Sequence, residues 1–183
     1  MNGKNKAVFF DRDGIVNYRL VGDYVTSIEE FKFIDDFLLF YSSIKKKGYL
    51  GILVKNQEGI GKGILSEENL EQVHTFLQSK MLELTGYNFD DIFYCSDLAE
   101  SNSPRRKPNP GMIFEAIEKW NIEPRNSWMI GDSPTDVIAG KRAGLNTILV
   151  NIHNKKDVPE AEQVFPNLLT ASFFFDNFIE DKV

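Results

Sequence analysis

Residues 8–17 read VFFDRDGIVN. An apolar run, Val8 to Phe10, meets Asp11, Arg12, Asp13 and Gly14 with nothing between them. A short continuous apolar run that stops at a turn signal describes a strand buried on both faces. Two carboxylates two positions apart at its end repel, and each resists ionising beside the other. A divalent cation is the simplest agent that makes the pairing favourable. Oxygen ligands of this kind suit Mg²⁺.

The pattern around this strand repeats. Ala7–Phe10, Tyr49–Val54, Ile92–Cys95, Ser127–Ile130 and Thr147–Val150 read as strands, with Val164-Phe165 as a last short one. Helical spacing lies between them. Phe37, Leu38, Tyr41 and Ile44 share a face, with Asp35 or Asp36 as the start signal and Gly48 as the stop. Ser66 opens a long helix striped by Leu70, Val73, Leu77, Met81 and Leu84 and ended by Gly86. Asn109-Pro110 starts a helix with Pro110 at its first position, which proline favours. Pro134–Ala143 is a helix closed by Gly144, and Leu168–Ile179 reads as a closing helix. Strands alternating with helices imply a parallel sheet covered on both faces. No repeat, low-complexity tract or linker divides the chain, so residues 1–183 are expected to form a single domain.

Bulk properties narrow the function. The 183 residues include 42% hydrophobic and 26% charged side chains, ordinary for a globular protein. The net charge of -6 argues against a nucleic-acid binder, which would carry a basic face. One cysteine, Cys95, allows no intramolecular disulfide and fits a reducing compartment. The opening MNGKNKAVFF is too short in apolar residues for a signal peptide. No stretch approaches the roughly 18 apolar residues of a membrane helix. A cytoplasmic monomer without membrane or nucleic-acid partners is expected.

In open parallel sheets, ligands bind beyond the carboxyl ends of the strands. The first strand ends at Asp11 and Asp13, the second at Lys55, Asn56 and Gln57, and the fourth at Gly131-Asp132. Arg105-Arg106-Lys107-Pro108 precedes a helix in the same direction of travel. Carboxylates and cations therefore gather at one edge. Phosphate monoesters hydrolyse extremely slowly unaided, and such an edge holds what their hydrolysis needs. Asp11 can attack phosphorus and form an aspartyl-phosphate. Mg²⁺ screens the repulsion, with Asp11, Asp13 and Asp132 as ligands. Lys107 neutralises charge on the opposite side. Asp13 then serves as acid and base. Asp136 has two readings. Ser133-Pro-Thr-Asp136 matches a capping box, a role at least as strong as metal contact.

These segments together resemble the haloacid dehalogenase (HAD) superfamily of phosphatases. The branch is that of D-glycero-D-manno-heptose-1,7-bisphosphate phosphatase and histidinol-phosphatase. The resemblance is carried by DRDGIVN, GDYVTSIEEFKFID, NQEGIGKG, RRKPNPGM and GDSPTDVIAGKRAG, spread over residues 8 to about 150. It implies a three-layer Rossmann-like α/β fold with a mainly parallel sheet and no large cap. It implies a Mg²⁺-dependent phosphatase acting on a small phosphorylated sugar, heptose 1,7-bisphosphate first, by removal of the C7 phosphate, in the supply of heptose for lipopolysaccharide. Histidinol phosphate is the alternative within the fold. Asn17 and Tyr24 match positions near the substrate. Lys107 and Asn56 would hold phosphoryl oxygens beside Lys55 and Gln57, and Arg106 would read the second phosphate or sugar hydroxyls.

The chain departs from the family at four points. Lys55 stands where a threonine is usual, bringing a new charge. That opens a reading of another class, a sugar-phosphate-binding protein with weakened catalysis. Ile15 replaces Thr or Val with little consequence expected. The cysteines of a zinc loop are missing apart from Cys95, so no zinc is expected. Glu58 replaces a small polar residue and places an anion near a phosphate pocket. Elsewhere the plain readings win. His74 lies off its helix stripe and reads as a surface residue. Nothing argues for catalysis by His153. Cys95 reads as a small core residue, Arg105 and Lys45-Lys46-Lys47 as solvated cations, and the glycines of GIGKG as a turn or an anion cradle.

Overall fold

The computed structural model describes residues 3–20, 24–151 and 155–179. His153, and the Gly22-Asp23 part of the GDYVTSIEEFKFID segment, lie outside the described residues. Six parallel strands form one sheet in the order β3-β2-β1-β4-β5-β6. They are β1 (Ala7–Phe10), β2 (Leu50–Asn56), β3 (Asp91–Cys95), β4 (Trp128–Gly131), β5 (Asn146–Val150) and β6 (Gln163–Phe165). The helices are α1 (Asp35–Lys46), a single turn α2 (Glu58–Gly61), α3 (Glu67–Thr85), α4 (Gly111–Lys119), α5 (Pro134–Arg142) and α6 (Leu168–Phe178). Strand order reverses beside β1, which pairs with β2 on one side and β4 on the other. That reversal splays the following loops apart and opens a crevice at the strand ends.

Two apolar layers make this a three-layer α/β fold. On one face, Val8, Phe10, Leu53, Ile130 and Ile148 pack against α1, α3 and α6. Phe10 is the hub, edge-on to Phe37 at 5.2 Å and to Phe40 at 6.1 Å, with Tyr41 and Phe89 within 6.2 Å. On the other face, Phe9, Ile52, Val54 and Met129 meet Met112, Ile113 and Ala116 of α4 and Ala139 of α5. Alternate residues of each strand serve opposite layers, as a sheet covered on both faces requires. Among the described residues no separate cap domain stands over the strand ends.

The elements follow local chemistry. Ser66 caps α3 by accepting the Asn69 N–H at 3.0 Å, and Gly86 closes it in the left-handed conformation at φ 79°. Several expected details differ. Pro110 sits one residue before α4, as its N-cap, and Ile34 caps α1 so that Asp35 and Asp36 fall inside the first turn. β2 runs on through Lys55 and Asn56, because both keep their ladder with Tyr94 and Cys95. Leu84 is exposed, since the apolar stripe of α3 ends at Met81.

Phe10 carries the packing beneath the strand ends, so Phe10→Ala is expected to lower stability by about 3–5 kcal/mol, read from urea denaturation.

Candidate active site

The backbone just after β1 is forced into shape. Val16 N–H donates to the Arg12 carbonyl at 2.8 Å and Gly14 N–H to the Asn17 carbonyl at 2.7 Å, closing a compact loop over residues 12–17. Gly14 has φ 91°, and a Cβ there would lie 2.0 Å from Asp132 Oδ2. Only glycine allows the loop of β1 and the end of β4 to approach this closely. Gly131 performs the same service for α5, since a Cβ there would sit 2.3 Å from the Asp136 side chain. The two glycines let three carboxylates converge. Asp11, Asp132 and Asp136 each offer an oxygen within 4.8 Å of the others.

A buried ammonium answers that charge. Lys107 Nζ lies 2.8 Å from Asp11 Oδ1 and 2.7 Å from Asp136 Oδ1, and donates to the Val54 carbonyl at 2.7 Å. The side chain that a loop position would ordinarily leave solvated is 3% exposed. Its burial opposes protonation, but Asp11 and Asp136 overcome this and raise its pKa above the usual lysine range. Burial likewise opposes ionisation of Asp11, and Lys107 and Lys55 outweigh it to hold the carboxyl below its ordinary range. Asp132 goes the other way. Burial and the negative charge of Asp11 push it up to about 6, despite the Arg19 guanidinium at 2.8 Å.

Asp136 resolves its two readings by using both oxygens. Oδ2 accepts the Ser133 N–H at 3.2 Å and the Ser133 hydroxyl at 2.8 Å, completing the capping box of α5. Oδ1 faces Lys107, and the residue is a member of the acidic cluster.

Other expected site residues sit differently. The Asp13 carboxylate lies outside the acidic cluster. Arg12 Nε holds one oxygen at 2.9 Å and Lys55 Nζ the other at 2.7 Å. Burial resists ionisation there too, but Arg12 and Lys55 prevail and keep Asp13 well below the carboxylate range. Asn56, expected to hold phosphoryl oxygens, is turned to the backbone of Lys107. Its amide donates to the Lys107 carbonyl at 2.9 Å and accepts the Lys107 N–H at 3.0 Å. It is a clamp on the backbone that carries the ammonium. Asn17 and Gln57 are fully buried and line neither of the clefts at the strand ends. Asn17 donates to the Tyr18 carbonyl, and both amide atoms of Gln57 lack a protein partner.

Besides a cleft of about 380 Å³ that Asp132 itself lines, two more lie nearby. One of about 480 Å³ is lined by Asp13, Arg19, Leu20, Tyr24, Lys55, Lys62 and Ile64. The other, about 390 Å³, has Arg106, Lys107, Thr135 and Arg142 in its wall. Arg19 and Lys62 were not anticipated. Arg19 grips both oxygens of Asp132, 113 positions away, and no local spacing announces such a contact. The GIGKG segment is a helical turn followed by a loop rather than a glycine cradle. His74 is half-buried rather than on the surface. Its ring lies against Tyr94, and burial with the nearby Arg12 lowers its pKa to about 4. The Cys95 thiol is buried, 3.4 Å from Asp97 Oδ2 and 3.8 Å from Ser103 Oγ. Arg105 pairs with Glu115 at 2.7 Å and Lys45 with Asp90 at 2.5 Å, so neither is a purely solvated cation.

An acidic cluster at the switch point of a parallel sheet, countered by buried lysines, suits phosphoryl-transfer chemistry. A family model described as HAD-hydrolase-like matches residues 104–171. The chain is 39% identical to the D-glycero-beta-D-manno-heptose-1,7-bisphosphate 7-phosphatase of Pasteurella multocida, over 79% of this chain and 81% of that one. It is 35% identical to the enzyme of the same name from Helicobacter pylori, over 86% and 90%. The crystal structure of D,D-heptose 1,7-bisphosphate phosphatase from B. bronchiseptica, complexed with magnesium and phosphate, superimposes with a TM-score of 0.82. It is 25% identical, and the match covers 92% of this chain and 96% of that one. The chain thus belongs to the HAD superfamily of phosphatases, in the branch of these heptose-bisphosphate enzymes. No helix among the described residues is long and apolar enough to cross a membrane.

Lys107→Met would leave Asp11 and Asp136 buried without their counter-charge. Breaking such a pair costs about 3–5 kcal/mol. The variant is expected to lose that much in denaturant titration at neutral pH and to recover part of it under acid, as the carboxylates protonate.

Proposed function

We propose that the protein removes the C7 phosphate of D-glycero-D-manno-heptose 1,7-bisphosphate, with Asp11 as nucleophile and Mg²⁺ as cofactor. The observation that carries this reading is the Lys107 ammonium shared between Asp11 and Asp136, in the wall of a cleft that also holds Arg106 and Arg142. The named relatives support the substrate. A cytoplasmic setting accords with the lone buried thiol and the phosphorylated sugar.

The donor set fits Mg²⁺. Three carboxylates reach one another within 4.8 Å, all of them oxygen ligands. Asp11, Asp132 and Asp136 would hold the ion, which supplies charge screening between nucleophile and phosphate. The side chain of Asp13, expected as a ligand with Asp11 and Asp132, pairs with Arg12 and Lys55 instead, and Asp136 stands in the cluster. Lys107 orients Asp11 and keeps it ionised, so that an oxygen lone pair is available to attack phosphorus. The P–O bond to the sugar breaks as the aspartyl-phosphate forms, and the leaving oxygen takes a proton from Asp13. Water then attacks the acyl phosphate, giving its proton to Asp13 and releasing inorganic phosphate.

Lys55 fits this cycle as a counter-charge. At rest it holds Asp13 as carboxylate, so the proton gained from water passes to solvent between turnovers and is regained from solvent as substrate binds. An entering phosphate offers Lys55 a second anion, weakening its hold and making Asp13 easier to protonate for the first half-reaction. Lys55 in this role supports turnover. Lys55→Thr should therefore lower phosphate release. A rise would identify Lys55 as the source of a crippled site and favour a binding protein.

The deciding assay is phosphate release from a panel of sugar phosphates, both anomers of heptose 1,7-bisphosphate and histidinol phosphate included, with and without Mg²⁺. Release that requires Mg²⁺, is highest for the heptose and falls to background in Asp11→Asn is expected. Preference for histidinol phosphate would reassign the substrate.

Metal affinity should depend on pH through Asp132. A ligand must be deprotonated to bind, and this carboxyl is neutral below about pH 6 and charged above it. Mg²⁺ affinity measured by calorimetry is expected to fall by roughly tenfold per unit as pH drops below about 6. A flat profile from pH 7 to 5 would remove Asp132 from the ligand set.

A further inference from the structure

Arg19 touches the acidic cluster from the solvent side. A single nitrogen, Nη2, lies 2.8 Å from Asp132 Oδ1 and 3.0 Å from Asp132 Oδ2, and donates to the Asp13 carbonyl at 3.2 Å. Two carboxylate oxygens and one main-chain oxygen thus surround one positively charged group. Oxygens of these kinds are what a hard divalent cation takes. Asp132 is also one of the three carboxylates whose oxygens come within 4.8 Å of one another. The guanidinium therefore holds a group that the metal would need.

The two partners differ in freedom. The Asp132 side chain is 12% exposed and that of Arg19 is 53% exposed. Asp132 follows β4 directly, and the loop after β1 presses on it, since a Cβ on Gly14 would meet its Oδ2 at 2.0 Å. The carboxylate is held in place. The guanidinium has room on two sides. Arg19 lines the cleft that holds Asp13, Tyr24 and Lys55, and also the cleft that holds Asp36, Asn151 and Asn167. Lys107 is the opposite case, buried and bonded to Asp11, Asp136 and the Val54 carbonyl. Of these two cations, the buried one stays and the exposed one can leave. An exposed ion pair is weak and readily exchanged.

We propose that Arg19 is a tethered competitor for the metal site: its guanidinium holds Asp132, gives the carboxylate up to a divalent cation, and turns into one of the clefts it already lines. The inference rests on the reading of Asp11, Asp132 and Asp136 as Mg²⁺ ligands and adds a residue that sets how readily they are occupied. The competition is intramolecular, so the guanidinium is present at a fixed effective concentration. Apparent Mg²⁺ affinity is reduced by the fraction of molecules in which Asp132 is released. Because the pair is exposed, that reduction is several-fold and the site remains loadable. The same contact keeps Asp132 from standing unpaired beside Asp11 and Asp136, where like charges would repel.

The test is a calorimetric Mg²⁺ titration, without substrate, of the unaltered chain, Arg19→Gln and Lys62→Gln. It is run under mildly alkaline conditions, so that Asp132 is ionised throughout. Lys62 lines one of the same clefts but pairs with Glu58 at 3.0 Å, so its loss removes a positive charge nearby without releasing Asp132. Both variants alter exposed side chains, which keeps folding out of the result. Mg²⁺ is expected to bind Arg19→Gln several-fold more tightly than the unaltered chain, and Lys62→Gln with little change. The Arg19 Nε–H resonance, assigned by its absence from Arg19→Gln, should shift during the titration of the unaltered chain with the same midpoint. Equal gains in both variants would assign the effect to net charge and overturn the inference. Equal affinity in the unaltered chain and Arg19→Gln would overturn the inference alone and leave the metal reading standing. Absence of Mg²⁺ binding by both of these would overturn the metal reading and the inference with it.

Discussion

The Lys107 ammonium sits between two carboxylates and one backbone carbonyl, and the site depends on that contact. It joins the end of β1 through Asp11, the second half of β2 through the Val54 carbonyl, and the start of α5 through Asp136. Those three segments come from distant parts of the chain. Without the cation, buried carboxylates would face one another in a low-dielectric setting, and at least one would take up a proton. With it, Asp11 remains an anion. The clamp of Asn56 on the Lys107 backbone, two hydrogen bonds from the end of β2, fixes where the ammonium can reach.

Charge is distributed in pairs throughout this edge. Arg12, fully buried, and Lys55 hold Asp13, Arg19 holds Asp132, and Lys62 with Arg106 holds Glu58. The net charge of -6 is thus a poor guide to the site, where cations crowd in among the acids. Such pairing lowers the desolvation cost of each group and fixes side-chain geometry in advance of binding.

Much of this was legible in the chain. The β1 strand and its Asp11-Arg-Asp-Gly end were plain because buried strands have short apolar runs and tight turns have glycine. The long helix α3 was legible at both ends through Ser66 and Gly86, whose roles are local. The site residues divided along the same line. Asp11, Asp132 and Lys107 could be placed because each follows a strand or precedes a helix at a recognisable motif. Asn56 was read toward substrate from its place at the end of the second strand, and its contact with a backbone 51 positions away is one that no spacing reports. Arg19 and Lys62 were overlooked for the same reason. Cations in loops are ordinarily solvated, and only the folded chain shows which carboxylate lies opposite. His74 was misjudged because the helix stripe says which residues face the core but not how β3 rises to cover the flank.

The Val54 carbonyl carries a further consequence. Its hold on Lys107 belongs to the main chain, and every residue type offers the same oxygen. Side-chain scanning would score Val54 as an ordinary core position and miss the contact altogether, because Val54→Ala or Val54→Ile leaves the oxygen where it is. Only a change to the backbone itself, such as replacement of the amide by an ester, would expose it. A fixed point of this kind is hidden from mutation. Genetic drift can rework the apolar residues of β2 while the coordinate that anchors the chemistry is inherited with the strand.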